Sequence, residues 1–413
     1  MKMNKIITLS VITTTLAMSS AYKLPEQSVN SMALGAAYIA HTKGADTTYF
    51  NPAGMAFMRD KNFIEASASL IHVFSQEYTL DGVRDGSSEV EDIVVPDFHY
   101  VSPKVGDFRF GLSFLIPGGL TRRWETPFQK ISAQEFTLKI LELNPTMSYK
   151  INENFAVGGG VRFIYSEGVV KSDGGTIFPL KREMEGNTIE FGYNLAMLYK
   201  APYEINLAMT YRSNIDLKEK GEANLFLGGV GKQYKDADVT VPLPAGLNIA
   251  MSKTFGGYYT IEFVYERTFW STYKNLDFNY KNPPTNPVLS SAFDDSKARN
   301  WKDSDAFRVG LTAGITHELT LMYGFSYDKT PVQNRYIGFE LADSDAMVFS
   351  GGARYQYSKN FSFGASLLYD IKDDIKLKAG EHDDKSPFNV LNSGGKFDKG
   401  GALLGTVGIA YEF

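Results

Sequence analysis

The last stretch of the chain, GALLGTVGIAYEF (401–413), alternates strictly. Leu403, Gly405, Val407, Ile409, Tyr411 and Phe413 share one face; Leu404, Thr406, Gly408, Ala410 and Glu412 share the other. A period of two is the signature of a β-strand, whose side chains point alternately to opposite faces. One face here is apolar and aromatic, the other small or polar. The pattern recurs over Phe155–Tyr165, with Gly158, Gly160 and Arg162 on the second face, and again over Ile189–Tyr199, Leu319–Tyr327 and Phe361–Tyr369.

Working outward, the sequence predicts fourteen such strands, starting near Lys61, Glu91, Asp107, Phe136, Glu153, Asn187, Tyr203, Thr240, Tyr258, Ala306, Glu318, Ala346, Asn360 and Gly401. Their connections alternate in length. Short ones such as Ser102–Gly106, Ile151–Asn154 and Ser358–Asn360 take turns with long ones: Leu80–Val90, Pro117–Glu135, Lys171–Gly186, Gly221–Val239, Leu276–Asp305, Thr330–Asp345 and Ile371–Gly400. Short turns at one end and long loops at the other characterise outer-membrane barrels. A soluble sandwich also alternates, but keeps its polar face outward. The fold class is therefore all-β: a 14-stranded antiparallel transmembrane β-barrel. Tyr165, Tyr199, Tyr211, Trp270, Tyr327, Tyr357, Tyr369 and Tyr411 lie near strand ends and are expected to form interfacial girdles.

Composition agrees. A mean hydropathy of −0.20 is too polar for a bundle of membrane helices, and only a closed sheet satisfies every backbone group in lipid without helices. The absence of cysteine excludes disulfides, thiolate metal sites and cysteine nucleophiles. A net charge of −5 argues against nucleic acid. The five histidines are scattered and no G-x-S-x-G elbow occurs, so no enzyme, catalytic residue, metal site or cofactor is expected.

Residues 1–21 read as a secretory signal peptide: Lys2 and Lys5, an apolar run from Ile6 to Met18, then Ser19-Ser20-Ala21. Residues 61–413 are the expected barrel. Residues 22–60 lack alternation and are rich in Ala and Gly, so they cannot build a core of their own. They are expected to fill the lumen as an N-terminal hatch, a known arrangement for such barrels.

The run Ser31–Met55, ending in Tyr49-Phe50-Asn51-Pro52-Ala53-Gly54, resembles the hatch signature of the FadL family of outer-membrane transporters for long-chain fatty acids and other hydrophobic compounds. The likeness continues through Asn144-Pro145, Ser148-Tyr149-Lys150, Tyr193-Asn194-Leu195, Tyr211-Arg212-Ser213, Pro242-Leu243-Pro244, Phe269-Trp270-Ser271, Asn300-Trp301-Lys302-Asp303 and Tyr327-Asp328-Lys329-Thr330-Pro331. The resemblance implies passive uptake across the outer membrane of a Gram-negative cell. Ligand is captured at the outer loops, passes to an apolar lumen pocket, and leaves sideways beside a kinked third strand. That strand is expected at Asp107–Ile116, with Pro117 opening the loop and Gly111 one place where the ladder weakens.

Asn51, Pro52, Ala53 and Gly54 are the expected gating residues: Pro52 fixes its own φ and extends Asn51, whose amide can bond the barrel wall. A fatty acid needs an apolar slot and a cation. Leu34, Tyr38, Phe50, Met55 and Phe57 are candidates for the slot. Arg162 and Arg354, on the polar faces of their strands, lead the candidates for the cation, beside Arg122, Arg123 and Arg212. Leu225 and Phe226 are read as a capture surface in an outer loop. The expected partners are a long-chain fatty acid or similar hydrophobic molecule, outer-membrane lipid and detergent-like ligands, and the barrel-insertion machinery through Phe413; the barrel is expected to act as a monomer. An aromatic-hydrocarbon transporter on the same fold, and a general porin or a structural or adhesive barrel, are the alternatives. Deleting Phe413 is expected to lower barrel insertion, read as loss of the heat-modifiable band on gels; unchanged insertion would remove the terminal residue from the signal.

Overall fold

The structure, a computed structural model, describes residues 21–386 and 389–413; the expected signal peptide lies outside the described residues except for Ala21. Among the described residues, fourteen antiparallel strands close a barrel. They are β1 (Phe63–Val73), β2 (Glu91–Val101), β3 (Phe108–Arg123), β4 (Glu135–Lys150), β5 (Phe155–Asp173), β6 (Leu180–Ala201), β7 (Ile205–Arg212, resuming as Ile215–Leu227), β8 (Val230–Leu243, resuming as Gly246–Phe255), β9 (Tyr259–Thr268), β10 (Ser304–Gly314), β11 (Leu319–Asp328), β12 (Ala346–Gln356), β13 (Phe361–Lys372) and β14 (Gly401–Glu412). The last strand pairs with the first from Phe63↔Glu412 to Val73↔Ala402, so the sheet has no outer edge. Among the described residues no helix is long and apolar enough to cross a membrane.

The faces fall as the alternation requires. On β14, Leu403, Val407, Ile409 and Tyr411 are exposed on the outside, while Leu404 and Thr406 are buried inside. Charged side chains such as Glu142, Arg162 and Arg308 are buried in the lumen. Apolar side chains face lipid and polar ones face in, the reverse of a soluble sandwich.

Four expectations need correction. Pro117 does not open a loop: β3 runs through it to Arg123. The stretch 171–186 is mostly the extended tips of β5 and β6, paired as far as Asp173↔Lys181. The stretch 221–239 belongs to a hairpin that carries β7 and β8 beyond the barrel and turns at Gly228-Gly229, both with positive φ. That hairpin reads IDLKEKGEANLFL along its first arm, and only Ile215, Leu217, Ala223 and Leu225 on one face are apolar and buried. Its other face carries Lys218, Lys220 and Glu222 in water, so the alternation is real but lacks the aromatic face of a lipid-facing strand. Finally, Trp270 is no girdle residue. It is fully buried among the outer loops, 4.7 Å from the Tyr22 ring and 5.1 Å from that of Trp301.

The long loops fold together over their end of the barrel. Trp124, Tyr78, Phe339 and Phe397 form one aromatic knot, and Trp270, Tyr273, Trp301 and Tyr22 another. Most of residues 22–56 are buried against the inner faces of the strands, while Lys43, Arg59 and Asp60 are exposed. Their ordered pieces are α1 (Val29–Ala33), capped by the Ser28 hydroxyl, α2 (Thr47–Phe50), and a 3-10 turn (Pro52–Phe57) that Pro52 begins. Small residues let the hatch approach the wall: a Cβ at Gly324 of β11 would collide with the Leu34 backbone. A barrel lacking residues 22–60 is expected to conduct ions several-fold better than the whole protein in planar bilayers; equal conductance would show that the hatch does not occlude the lumen.

Candidate functional site

The wall holds the hatch through charged groups that find backbone partners. Arg109 of β3 is fully buried and donates to five carbonyls: Ser102 (2.7 Å), Met55 (3.2 Å), Met58 (2.9 Å), Arg59 (2.7 Å) and Lys61 (2.6 Å). Glu262 of β9 accepts from the amides of Ile39 (2.6 Å), Ala40 (2.6 Å) and His41 (3.0 Å). Such charge-assisted bonds are among the stronger ones. Asn51 does not reach the wall. Its side-chain amide donates to the Ile39 carbonyl at 2.9 Å, tying two parts of the hatch together, while its own carbonyl accepts from Gly54.

The expected ligand residues do not come together. Tyr38 is buried with its hydroxyl on Asp46 and the Lys43 carbonyl, and packs on Phe50. Met55 packs with Ala45 and Val101, and Phe57 lies under the Lys200 ammonium. Pro52, Ala53 and Gly54 are buried in the 3-10 turn. Leu34, Tyr38 and Arg354 do line one cavity of about 470 Å³ at the turn end of the barrel. Arg354, however, pairs with Glu65 and bonds Asn30. Arg162 is bound by Glu142 at 2.9 Å, and Glu142 also takes Arg212 at 2.8 Å. Both leading cations are therefore occupied. Leu225 is fully buried inside the outer hairpin and Phe226 is only half-buried beneath Lys181, so neither offers an open capture surface.

The wall has a window. β2 pairs with β1 along its whole length, but with β3 only from Phe98↔Phe114 to Val101↔Gly111. Gly111 is thus in the ladder; the β2–β3 pairing ends at Phe114, and just beyond it β3 has an irregularity against β4, a register shift between Leu115 and Gly118. From Pro117 to Arg122 every residue of β3 is buried, with the N-terminal segment bonded to its backbone and outer-loop residues packed beside it. Pro96 stands in the unpaired run of β2, a position that tolerates a missing N–H. Strands and loops rejoin above: the Glu89 amide donates to the Arg123 carbonyl, and the Arg123 guanidinium grips Glu91 through two bonds of 2.7 and 2.6 Å.

Residues 22–27 of the hatch form a strap across this window. The Leu24 amide donates to the Pro117 carbonyl (3.0 Å), the Gly119 amide to the Tyr22 carbonyl (2.9 Å), and the Gln27 side-chain Nε2 to the Ile116 carbonyl (2.7 Å). His99, at the lower corner, touches the Gln27 carbonyl (3.1 Å) and Ser113 (3.0 Å). The far end of the strap is anchored by Lys23 on Glu266 and by the Tyr22 hydroxyl on the Pro242 carbonyl. A Cβ at Gly118 would meet the Tyr22 carbonyl oxygen well inside contact distance, so only glycine lets the strap dock there.

A second cavity, of about 400 Å³, lies among the outer loops and is walled by Phe136, Leu180, Phe278, Phe293 and Phe339. Arg182 of β6 projects into this lining. It is buried, its guanidinium stacks over Phe278 (4.1 Å) and near Phe293 (5.3 Å), and its Nε has no hydrogen-bond partner. Lys297 and Arg299 in the same lining are paired with Asp384 and Glu340. Arg182 is the buried cation of the cavity with no carboxylate in ion-pair contact among the described residues. Sequence reading passed over it because it sat in a supposed loop. The alternation Leu180, Arg182, Met184 on one face was the signal available.

Comparison with known proteins places this geometry. The family model for outer membrane protein transport protein (OMPP1/FadL/TodX) matches residues 10–413. The long-chain fatty acid transport protein of Escherichia coli (strain K12) is 22% identical, across 89% of this chain and 91% of its own. Outer membrane protein P1 of Haemophilus influenzae is 20% identical across 86% of both. The crystal structure of a Pseudomonas aeruginosa FadL homologue superposes with a TM-score of 0.77 at 18% identity, over 94% of this chain and 99% of that one. The Pseudomonas putida toluene transporter TodX gives 0.70 at 15%, over 94% and 98%. At such identities the structural likeness speaks for the fold.

The strap contact is testable because the chain has no cysteine of its own. A Gln27→Cys protein is expected to resist a water-soluble maleimide, and the added Gly118→Val change to make it reactive. Equal labelling of the two would mean that the strap does not depend on the break in β3.

Proposed function

Because the chain belongs to the OMPP1/FadL/TodX family of outer-membrane transport proteins, we propose that it takes up long-chain fatty acids or closely similar hydrophobic acids by passive diffusion. Ligand enters through the outer-loop cavity and leaves sideways into the bilayer through the window between β2 and β3. The family assignment carries the coarser statement, an outer-membrane transporter of hydrophobic substrates. The finer reading rests on Arg182.

An uncharged aromatic hydrocarbon offers the guanidinium only a cation–π contact, which Phe278 and Phe293 already supply. A carboxylate supplies the partner that Arg182 lacks, while the surrounding rings take the chain. Arg182 has the Tyr280 hydroxyl and the more distant charge of Glu340 but no carboxylate in ion-pair contact among the described residues, which favours a ligand that brings one. The window supports lateral exit on geometric grounds: the hydrogen bonds between β2 and β3 are missing there, and a strap held by a few backbone and side-chain bonds crosses the gap. A hatch that fills the lumen disfavours the general-porin alternative.

Arg182→Gln is expected to weaken binding of a long-chain acid such as oleate by about ten- to a hundredfold, the size of a charge-assisted hydrogen bond. Binding of toluene should be unchanged, both measured in lipid nanodiscs to avoid competing detergent. Equal binding of oleate by the two proteins would remove the acid reading and leave the hydrocarbon one.

A further inference from the structure

Ser172 of β5 and Arg182 of β6 are direct partners in the ladder at the outer tips of these strands. The side chains of such a pair leave the same face of the sheet, with their Cβ atoms about 4.5–5.5 Å apart. Both residues line the outer-loop cavity beside the phenylalanine rings. Ser172 is 1% exposed and its hydroxyl has no hydrogen-bond partner; Arg182 is 7% exposed and its Nε has none. The Tyr280 hydroxyl serves the rest of the same guanidinium. Other charged side chains of the lining are engaged: Lys297 pairs with Asp384, Arg299 with Glu340, and Asp383 with Arg335. A buried polar group without a partner costs stability in the empty protein. Here two of them stand side by side, on one face of one ladder and against one cavity.

We propose that Ser172 and Arg182 form a two-donor seat for the substrate's carboxylate, with Ser172 as a specificity residue. This rests on reading the substrate as a long-chain acid. One carboxylate oxygen accepts from the Arg182 Nε–H and the other from the Ser172 hydroxyl. An Arg Nε can only donate, whereas a serine hydroxyl turns to donate or accept, so the pair meets a group that has two acceptors and no proton of its own. The guanidinium supplies the charge, and the hydroxyl fixes which way the head faces. The ladder sets their spacing in advance, since both side chains stand on paired strands and little ordering remains to be done when the ligand arrives. The rings of Phe278 and Phe293 beside Arg182 then face the first part of the chain. A molecule without a polar head leaves both donors unpaired in a buried place, and a site built to bond its ligand discriminates most strongly against such an analogue.

The experiment measures binding of oleate and of the headless hydrocarbon 1-octadecene by the full chain in lipid nanodiscs. Ser172→Ala removes one hydroxyl. It is expected to weaken oleate about tenfold, the size of one hydrogen bond to a charged group, while 1-octadecene binds as before. Added to Arg182→Gln, the same change is expected to cost less than about twofold, because a head released by the guanidinium no longer sits against the hydroxyl. The heat-modifiable transition of the Ser172→Ala barrel on gels should stay where it was or rise, since the hydroxyl removed has no partner in the empty protein. Oleate bound equally by Ser172→Ala and the unaltered protein overturns the proposal. So does an equal loss for oleate and 1-octadecene, or a lowered heat-modifiable transition, either of which makes Ser172 a packing residue. A full tenfold loss repeated in the Arg182→Gln background also overturns it, since the two donors then act on different groups. If Arg182→Gln alone leaves oleate binding unchanged, the acid reading itself falls, and that result is obtained without touching Ser172.

Discussion

In hydrocarbon no water is available to bond a peptide group, so every N–H and C=O of the spanning wall must find a partner in the protein. The barrel meets this by closing β14 on β1, and its long gap is between β2 and β3. There the free edge of β3 bonds the strap instead of its neighbour. The hatch is consequently part of the wall's hydrogen-bond accounting as well as a filling for the lumen. Gly118, Pro117 and Gln27 matter because of that substitution, and the strap's far anchors on β8 and β9 matter because they decide where it hangs.

The lumen obeys a parallel rule for charge. Buried ions need counter-ions, and most have them: Arg162 and Arg212 on Glu142, Arg354 on Glu65, Lys372 on Asp343. Arg109 solves the same problem with carbonyls alone. Against this background the groups left without partners are informative. Arg182, at the mouth of the proposed path, has no carboxylate in ion-pair contact among the described residues. Neutralised charges hold the structure, and unneutralised ones are left to meet something that arrives.

The fold was legible in the sequence because lipid enforces a coarse, repeated signal. An aromatic face on segment after segment, with turns and loops taking turns, specifies a closed barrel without reference to any single contact. The site was less legible. Arg162 and Arg354 have the right side chain on the right face, but a strand's own pattern does not reveal which carboxylate a neighbouring strand brings beside it. Arg182 was lost because β6 continues past the membrane, where its outer face becomes polar and the strand looks like loop. The break in β3 hid behind Pro117, a residue that ordinarily ends a strand. Here it sits at a bulge, where the ladder is already interrupted and the hatch supplies the missing partner. The likeness of Asn51-Pro52-Ala53 to a hatch signature located the hatch. Asn51's bond to Ile39 then showed it working inside that segment rather than against the wall.

The contacts of the hatch also say something about how the chain assembles. Its residues are translated before the barrel, yet they bind groups made much later: the Ala33 carbonyl accepts from Ser350, Asn30 accepts from Arg354, and the amides of Ile39, Ala40 and His41 donate to Glu262. Contacts of this sequence separation form late, since a long chain must be gathered before they return any energy. The N-terminal segment therefore waits, unfolded, through most of barrel construction. It takes its shape only as the two ends of the sheet come together around it, and the act that seals the membrane wall is also the act that folds the hatch.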